Sequence, residues 1–272
     1  MPFFRAGPPR IFAHRGGSAL GPENTIAAFD LGVAAGADGL ELDVHLSADG
    51  RVVVCHDATL DRTTDASGPL AARTAAELAR VDAGCRFVDS NGRYPFRGCG
   101  VGIPTLHDVL QRYPDVPIIV EMKPDTTEIA LAVAAEVLAA EAIGRVCAAG
   151  YGARSLSTVR AALPEMATGA CLMEVRLALY RSWAGWPVPR KAYGGYQVPE
   201  RSGSLRVVSR RFIRHAHAAG LHVHVWTVDH ETDMVRLLDW GADGLISNRP
   251  DLAVAVRDRF VSDGQFTPIS RS

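Results

Sequence analysis

Short apolar runs alternate with segments of helical period along almost the whole 272-residue chain. Ile11-Phe12-Ala13, Gly39–Leu46, Ile118–Met122, Arg145–Ala149, Thr168–Leu172, Tyr196–Val198, His222–Thr227 and Gly244–Ile246 read as strands. Tyr196–Val198 is the weakest of these patterns. Between them lie helical stretches. Asn24 is placed to cap a helix carrying Ile26, Phe29 and Val33, which Gly36 stops. An Ala-rich helix runs from about Glu128 to Ala140, and a last helix begins near Pro250. Val52-Val53-Val54 forms an extra short strand, folded back by a turn at Asp49-Gly50. Eight strands with intervening helices predict an α/β fold, a TIM (β/α)8 barrel rather than an open sheet.

One internal echo supports a repeated unit. Gly36-Ala37-Asp38-Gly39-Leu40 recurs as Gly241-Ala242-Asp243-Gly244-Leu245, in each case where a helix ends and a strand begins. One stretch breaks the alternation. From about residue 58 to 103 the chain is rich in Gly, Arg, Asp and Ser and has no apolar period. It follows the second strand, so it reads as an insertion over one barrel mouth within a single domain spanning 1–272.

Composition narrows the class. Lys plus Arg is 29 against 30 Asp plus Glu, a formal net charge of −1, which argues against a nucleic-acid partner. Five cysteines at irregular spacing do not form a disulfide framework. No uncharged apolar run approaches the roughly 20 residues that span a bilayer. The start of the chain lacks the pattern of a signal peptide. A cytoplasmic protein is expected.

The candidate chemistry lies at strand ends, which in a parallel barrel share one mouth. Residues i and i+2 of a strand face the same way, so Glu41 pairs with Asp43 and Glu121 with Lys123. If both faces point inward, three carboxylates and an ammonium converge. One divalent cation, Mg²⁺ or Ca²⁺, would relieve the repulsion; a salt-bridge network with Lys123 and Arg15 is the alternative. His14 ends the first strand and His56 follows the short returning strand. Two imidazoles beside a carboxylate cluster suit paired acid and base roles. Arg15 and Lys123 suit phosphate oxygens, and Gly16-Gly17 admits close approach of a ligand to the backbone.

His14-Arg15-Gly16, Pro22-Glu23-Asn24-Thr25, Glu41-Leu42-Asp43-Val44, His56-Asp57, Glu121-Met122-Lys123 and Trp226-Thr227-Val228 occur in order from about Ile11 to Pro250. Through these segments the chain resembles the glycerophosphodiester phosphodiesterase family, of bacterial type. The resemblance implies a TIM barrel with an insertion after the second strand, a divalent cation, and hydrolysis of glycerophosphodiesters to glycerol 3-phosphate and an alcohol. It implies that Glu41, Asp43 and Glu121 bind the metal, and that His14 and His56 are the acid/base pair. It further implies that Arg15 and Lys123 hold the phosphate, Glu23 supports the site, and Trp226 packs against the organic part of the substrate. By strand period alone, His222, His224 and Trp226 share the face of their strand that should line the barrel. His222 and His224 are spaced like a zinc pair, but no third ligand accompanies them.

Between Arg176 and Arg201, Tyr180, Trp183, Trp186, Tyr193 and Tyr196 are interleaved with Arg181, Arg190 and Lys191. Such a segment suits a covering loop and helix, a dimer contact, or a transient contact of residues 176–201 with a membrane surface. It resembles the lysophospholipase D-like branch of the family, which implies a lysophospholipid as the alternative substrate. A catalytically silent barrel that binds phosphorylated ligands is the remaining rival.

Overall fold

The computed structural model describes residues 3–5, 7–189 and 192–264. The elements run β1 (Arg10–His14), α1 (Ile26–Ala34), β2 (Gly39–Leu46), β3 (Val52–Val54), α2 (Ala75–Leu78), α3 (Leu106–Arg112), β4 (Ile118–Met122), α4 (Thr127–Ala139), β5 (Val146–Ala149) and α5 (Ala153–Ala162). They continue as β6 (Ala167–Thr168), α6 (Leu172–Ala184), β7 (Gly195–Pro199), the hairpin β8 (Arg201–Ser202) and β9 (Leu205–Arg206), α7 (Arg210–His217), β10 (His222–Trp226), α8 (Glu231–Asp239), β11 (Gly244–Ser247) and α9 (Pro250–Ser262). Eight parallel strands neighbour one another in the order β6-β5-β4-β2-β1-β11-β10-β7. At the seam between β6 and β7, Gly194 N–H donates to Thr168 O (3.0 Å) and Ala170 N–H donates to Gly195 O (3.1 Å). The expected TIM barrel is the fold, with a thin seam where β6 is only two residues long.

Three apolar layers hold it. Leu42, Val44, Val120 and Val146 face α1, α3, α4 and α5 on one side; Tyr196, Val223, Leu245 and Phe212 pack under α6–α9 on the other. Phe12, Ile119, Cys147 and Ile246 fill the barrel interior. Phe3 and Phe4 close that interior, and Phe4 and Phe12 pack their rings on His222 and His224 at 5.1–5.8 Å. Those two histidines belong to this aromatic plug. The described cysteines are all free.

The internal echo is structural. Gly36 and Gly241 both take positive φ (85° and 93°) where the helix turns into the strand. Asp38 N–H donates to Ile11 O, and the Asp38 carboxylate accepts from Ile11 N–H (2.8 Å each). Asp243 makes the same reciprocal pair with Val223, at 2.9 and 2.8 Å. Each aspartate therefore ties the start of its strand to the neighbouring one.

Three local expectations change. Asn24 is not the cap of α1; Thr25 is, its hydroxyl accepting from Ala28 N–H (3.2 Å), while Asn24 takes φ +60° and turns its amide elsewhere. The strand expected over Thr168–Leu172 ends at Thr168, because the Glu174 carboxylate accepts from Cys171 N–H (2.8 Å) and starts α6 there. The weak pattern at Tyr196–Val198 is a five-residue strand bonded along its length to β10. The stretch after β3 is built on a cluster of Leu60, Leu70, Leu78, Val81 and Ile103 that rests on Val53 and Cys55, so its small core borrows from the short strand β3.

Candidate active site

β1, β2 and β4 are adjacent, and their register sets the site. His14 lies opposite Glu41, and Asp43 opposite Glu121. The side chains at these C-terminal strand ends open into one cavity of about 190 Å³, together with Arg15, His56, Lys123 and Trp226. Glu23 stands behind the wall, bonded to Arg15 (2.9 Å).

Glu41, Asp43 and Glu121 each present an oxygen within 4.8 Å of the others, the one such acidic group among the described residues. Asp43 is buried at 1 % exposure and is surrounded by donors. Lys123 Nζ lies 2.8 Å from one oxygen and Arg15 Nε 3.2 Å from the other, and Asn24 Nδ2 donates to it at 2.9 Å. Burial works against its charged form, yet Lys123 and Arg15 hold its carboxyl below the usual carboxylate range. Glu41 receives one backbone donor, Arg15 N–H at 3.1 Å. Burial, and then the charges of Asp43 and Glu121, push its carboxyl well above the usual range. Lys123 also donates to Glu121 at 2.7 Å. Three carboxylates thus share two cations, one of which is also bonded to Glu23; the Arg15 and Lys123 side chains are bonded to Asp43 and Glu121, and Glu41 receives the Arg15 backbone N–H.

The two histidines are anchored alike and surrounded differently. Nδ1 of His14 lies 2.6 Å from Asn248 Oδ1, and Nε2 is turned toward Glu41 (3.9 Å). An amide oxygen only accepts, so Nδ1 carries the proton and Nε2 is left with its lone pair. Burial, and then the charge of Arg15, lowers the His14 pKa. Nδ1 of His56 lies 2.6 Å from the Asp57 carboxylate. Arg62 holds that carboxylate through two donors, which depress its pKa to about 2.

The expected site residues therefore gather at one mouth, with Glu23 one bond behind. Gly16 and Gly17 also serve the packing of this turn, a Cβ on Gly17 lying 2.9 Å from Pro250. A Cβ on Gly16 would lie 2.8 Å from the backbone of Ala28, so glycine allows the turn to approach α1. Sequence reasoning missed three partners. Arg62, from the inserted stretch, clamps Glu23 and Asp57 together at 2.6–2.8 Å. Asn248 is fixed by the Asp229 carboxylate at 2.7 and 2.8 Å. Tyr151 meets the Trp226 ring edge-to-face at 6.3 Å. The signal for Asn248 was its place: it follows the last strand directly and precedes Pro250. The opposite wall of the cavity is apolar, made by Ala170, Leu172, Val175, Val198 and Pro199.

The profile of the Glycerophosphoryl diester phosphodiesterase family matches residues 14–252. The chain belongs to that family. It is an enzyme, a phosphoric diester hydrolase of the glycerophosphodiester class. A glycerophosphodiester phosphodiesterase of Bacillus subtilis is 32% identical over 260 residues, covering 90% of this chain and 86% of that protein. The fold matches the glycerophosphoryl diester phosphodiesterase domain of a Mycobacterium tuberculosis protein, with TM-score 0.80 and 23% identity over 93% of this chain and 100% of that one. It also matches an Oleispira antarctica phosphodiesterase solved with its product sn-glycerol-3-phosphate, with TM-score 0.73 and 24% identity over 92% and 97% of the two chains.

Proposed function

We propose that the chain hydrolyses glycerophosphodiesters to glycerol 3-phosphate and an alcohol. In this reading Glu41, Asp43 and Glu121 hold one divalent cation, Mg²⁺ or Ca²⁺, and His14 and His56 exchange the protons. The observation that carries it is the convergence in one cavity of three carboxylates and two imidazoles, each anchored through Nδ1. The donor set fits a hard cation, being all oxygen, and the three carboxylates lie close enough to share one. A cation bound there would supply positive charge to the phosphate oxygens.

The protein groups divide the rest. His14, kept neutral by burial, takes a proton through Nε2 from the attacking water or a neighbouring glycerol hydroxyl. His56 gives a proton to the departing alkoxide, and the Asp57 carboxylate offers its imidazolium a counter-charge. The P–O bond to the alcohol breaks as the new P–O bond forms; where the glycerol hydroxyl attacks, the cyclic phosphate that results is opened by a water, whose proton goes to His56 while His14 returns its own to the glycerol oxygen. Arg15 and Lys123 hold phosphate oxygens, Glu23 holds Arg15, and Trp226 packs against the organic part.

A second substrate follows from the apolar wall of Leu172, Val175 and Val198. Such a wall suits the first carbons of an acyl chain leaving the mouth, as in a lysophospholipid cleaved to lysophosphatidic acid and its head-group alcohol. Choline release from glycerophosphocholine and lysophosphatidylcholine, assayed side by side, tests both. Release from the first supports the main reading, and faster release from the second shifts it to the lipid. Release from neither overturns the substrate class.

A further inference from the structure

We propose that the outer face of α6, which carries Arg176 among its apolar residues and lies beside arginines of α7, docks on an anionic lipid bilayer and presents the cavity mouth to it. Leu172, Met173, Leu177, Tyr180 and Trp183 are 38–64% exposed. At 100° per residue they fall within an arc of about 140°, which also carries the exposed Arg176. The opposite face of the helix, with Ala178, Leu179 and Ser182, is buried. Trp186, 63% exposed, follows directly after the left-handed Gly185. An apolar arc on the outside of a helix needs an apolar neighbour, and nothing in this chain covers it among the described residues.

The stripe is held rigidly. Arg211 donates to Trp183 O (2.6 Å) and His215 lies 2.7 Å from Trp186 O. Tyr180 and Trp183 stack edge-to-face at 5.5 Å. The membrane contact expected over residues 176–201 is therefore shifted. Tyr193 and Tyr196 are buried in the core at 3% and 0% exposure, and Arg190 and Lys191 lie outside the described residues. The exposed surface is instead α6 and Trp186.

Charge decides what the stripe meets. Residues 172–217 hold nine Arg and Lys against two acids, in a chain of net charge −1. Both acids are engaged elsewhere, Glu174 by Arg160 and Glu200 by Arg236. Arg176, Arg211 and Arg214 are exposed and pair with no carboxylate among the described residues. A two-fold contact between copies would lay this positive face on itself. An anionic bilayer instead offers head-group charge to the arginines and an interface to Tyr and Trp. The stripe also continues into the site, since Leu172 and Val175 line the catalytic cavity. Docking is independent of the chemistry, whereas delivery of a lipid diester to the cavity rests on the function proposed above.

The test uses the full chain with vesicles of phosphatidylcholine, with and without phosphatidylglycerol. Binding is read by co-flotation and by tryptophan emission, and hydrolysis of soluble glycerophosphocholine is read separately. The wild type should float only with phosphatidylglycerol vesicles, with blue-shifted emission. Trp183→Ala with Trp186→Ala should cut partitioning by at least about tenfold, and Arg176→Gln with Arg214→Gln by a similar factor, without changing turnover of the soluble diester. Flotation without turnover would leave docking standing and remove the proposed reaction. Absent flotation of the wild type, or variants that float equally well, would overturn docking. So would light scattering that shows a dimer dissociated by the tryptophan substitutions.

Discussion

Asn24 connects the fold to the acidic cluster, so replacing it gives a quantitative test. Its Nδ2 donates to Asp43 Oδ2 at 2.9 Å, and its Oδ1 accepts from Asp43 N–H at 3.2 Å. Both residues are buried, at 3% and 1% exposure, so water cannot replace these bonds. Asn24 also holds φ +60°, which asparagine tolerates better than alanine. Asn24→Ala removes a charge-assisted bond worth about 1.5–3 kcal/mol and strands a buried N–H at about 1–3 kcal/mol. The left-handed backbone adds about 1 kcal/mol. A loss of about 4 kcal/mol follows, which for a chain of this size lowers Tm by roughly 8–16 °C. Asn24→Gly keeps the backbone relaxed and should recover about 1 kcal/mol of that loss. Both are read by thermal and urea unfolding in excess chelator, so that no bound cation contributes. A loss below about 1 kcal/mol for Asn24→Ala would refute the reasoning. Equal losses for Ala and Gly would remove the backbone part.

His14→Ala and His56→Ala should each lower kcat for glycerophosphocholine by about 10²–10⁴ with little change in KM, and full activity in either variant removes that histidine from the acid/base pair. Arg62→Ala should raise the Asp57 pKa from about 2 toward the ordinary range, because the Arg62 bonds are its largest cause. A depressed carboxyl contributes stability above its unfolded pKa near 4 and loses it as pH falls to its folded value. The unfolding curves of wild type and Arg62→Ala should therefore differ above about pH 4 and converge near pH 2, by no more than about 1 kcal/mol for so exposed a pair. Leu78 is fully buried in the cluster over β3, so Leu78→Ala should cost about 2–4 kcal/mol. The whole chain should still unfold in one calorimetric transition, and a separate early transition would make residues 58–103 an independent unit.

What was legible in the sequence was what repeats locally. The period of two put Glu41 with Asp43 and Glu121 with Lys123, and strand polarity sent all four to one mouth. The alternation of strands and helices gave the barrel even where β7 was faint. The gaps have physical causes. Asn248 meets His14 across 234 residues, and Arg62 meets Glu23 across 39, so no local pattern encodes either contact. Asn24 and Thr25 are both good caps by residue type. The choice between them was made by Asp43, which draws the Asn24 amide away. Tyr193 and Tyr196 looked like partners of Trp183 and Trp186 in sequence. They are buried because β7 pairs with β10 and brings them under α7.

In the proposed function Glu41, Asp43 and Glu121 hold the cation on which glycerophosphodiester hydrolysis depends. The most direct measurement follows glycerophosphocholine by phosphorus NMR with chelated enzyme, then with Mg²⁺ or Ca²⁺ restored, for wild type and Glu41→Gln. The account predicts glycerol 3-phosphate only in wild type with cation restored, and cation binding by titration calorimetry that Glu41→Gln abolishes. Undiminished glycerol 3-phosphate formation by fully chelated wild type would contradict it.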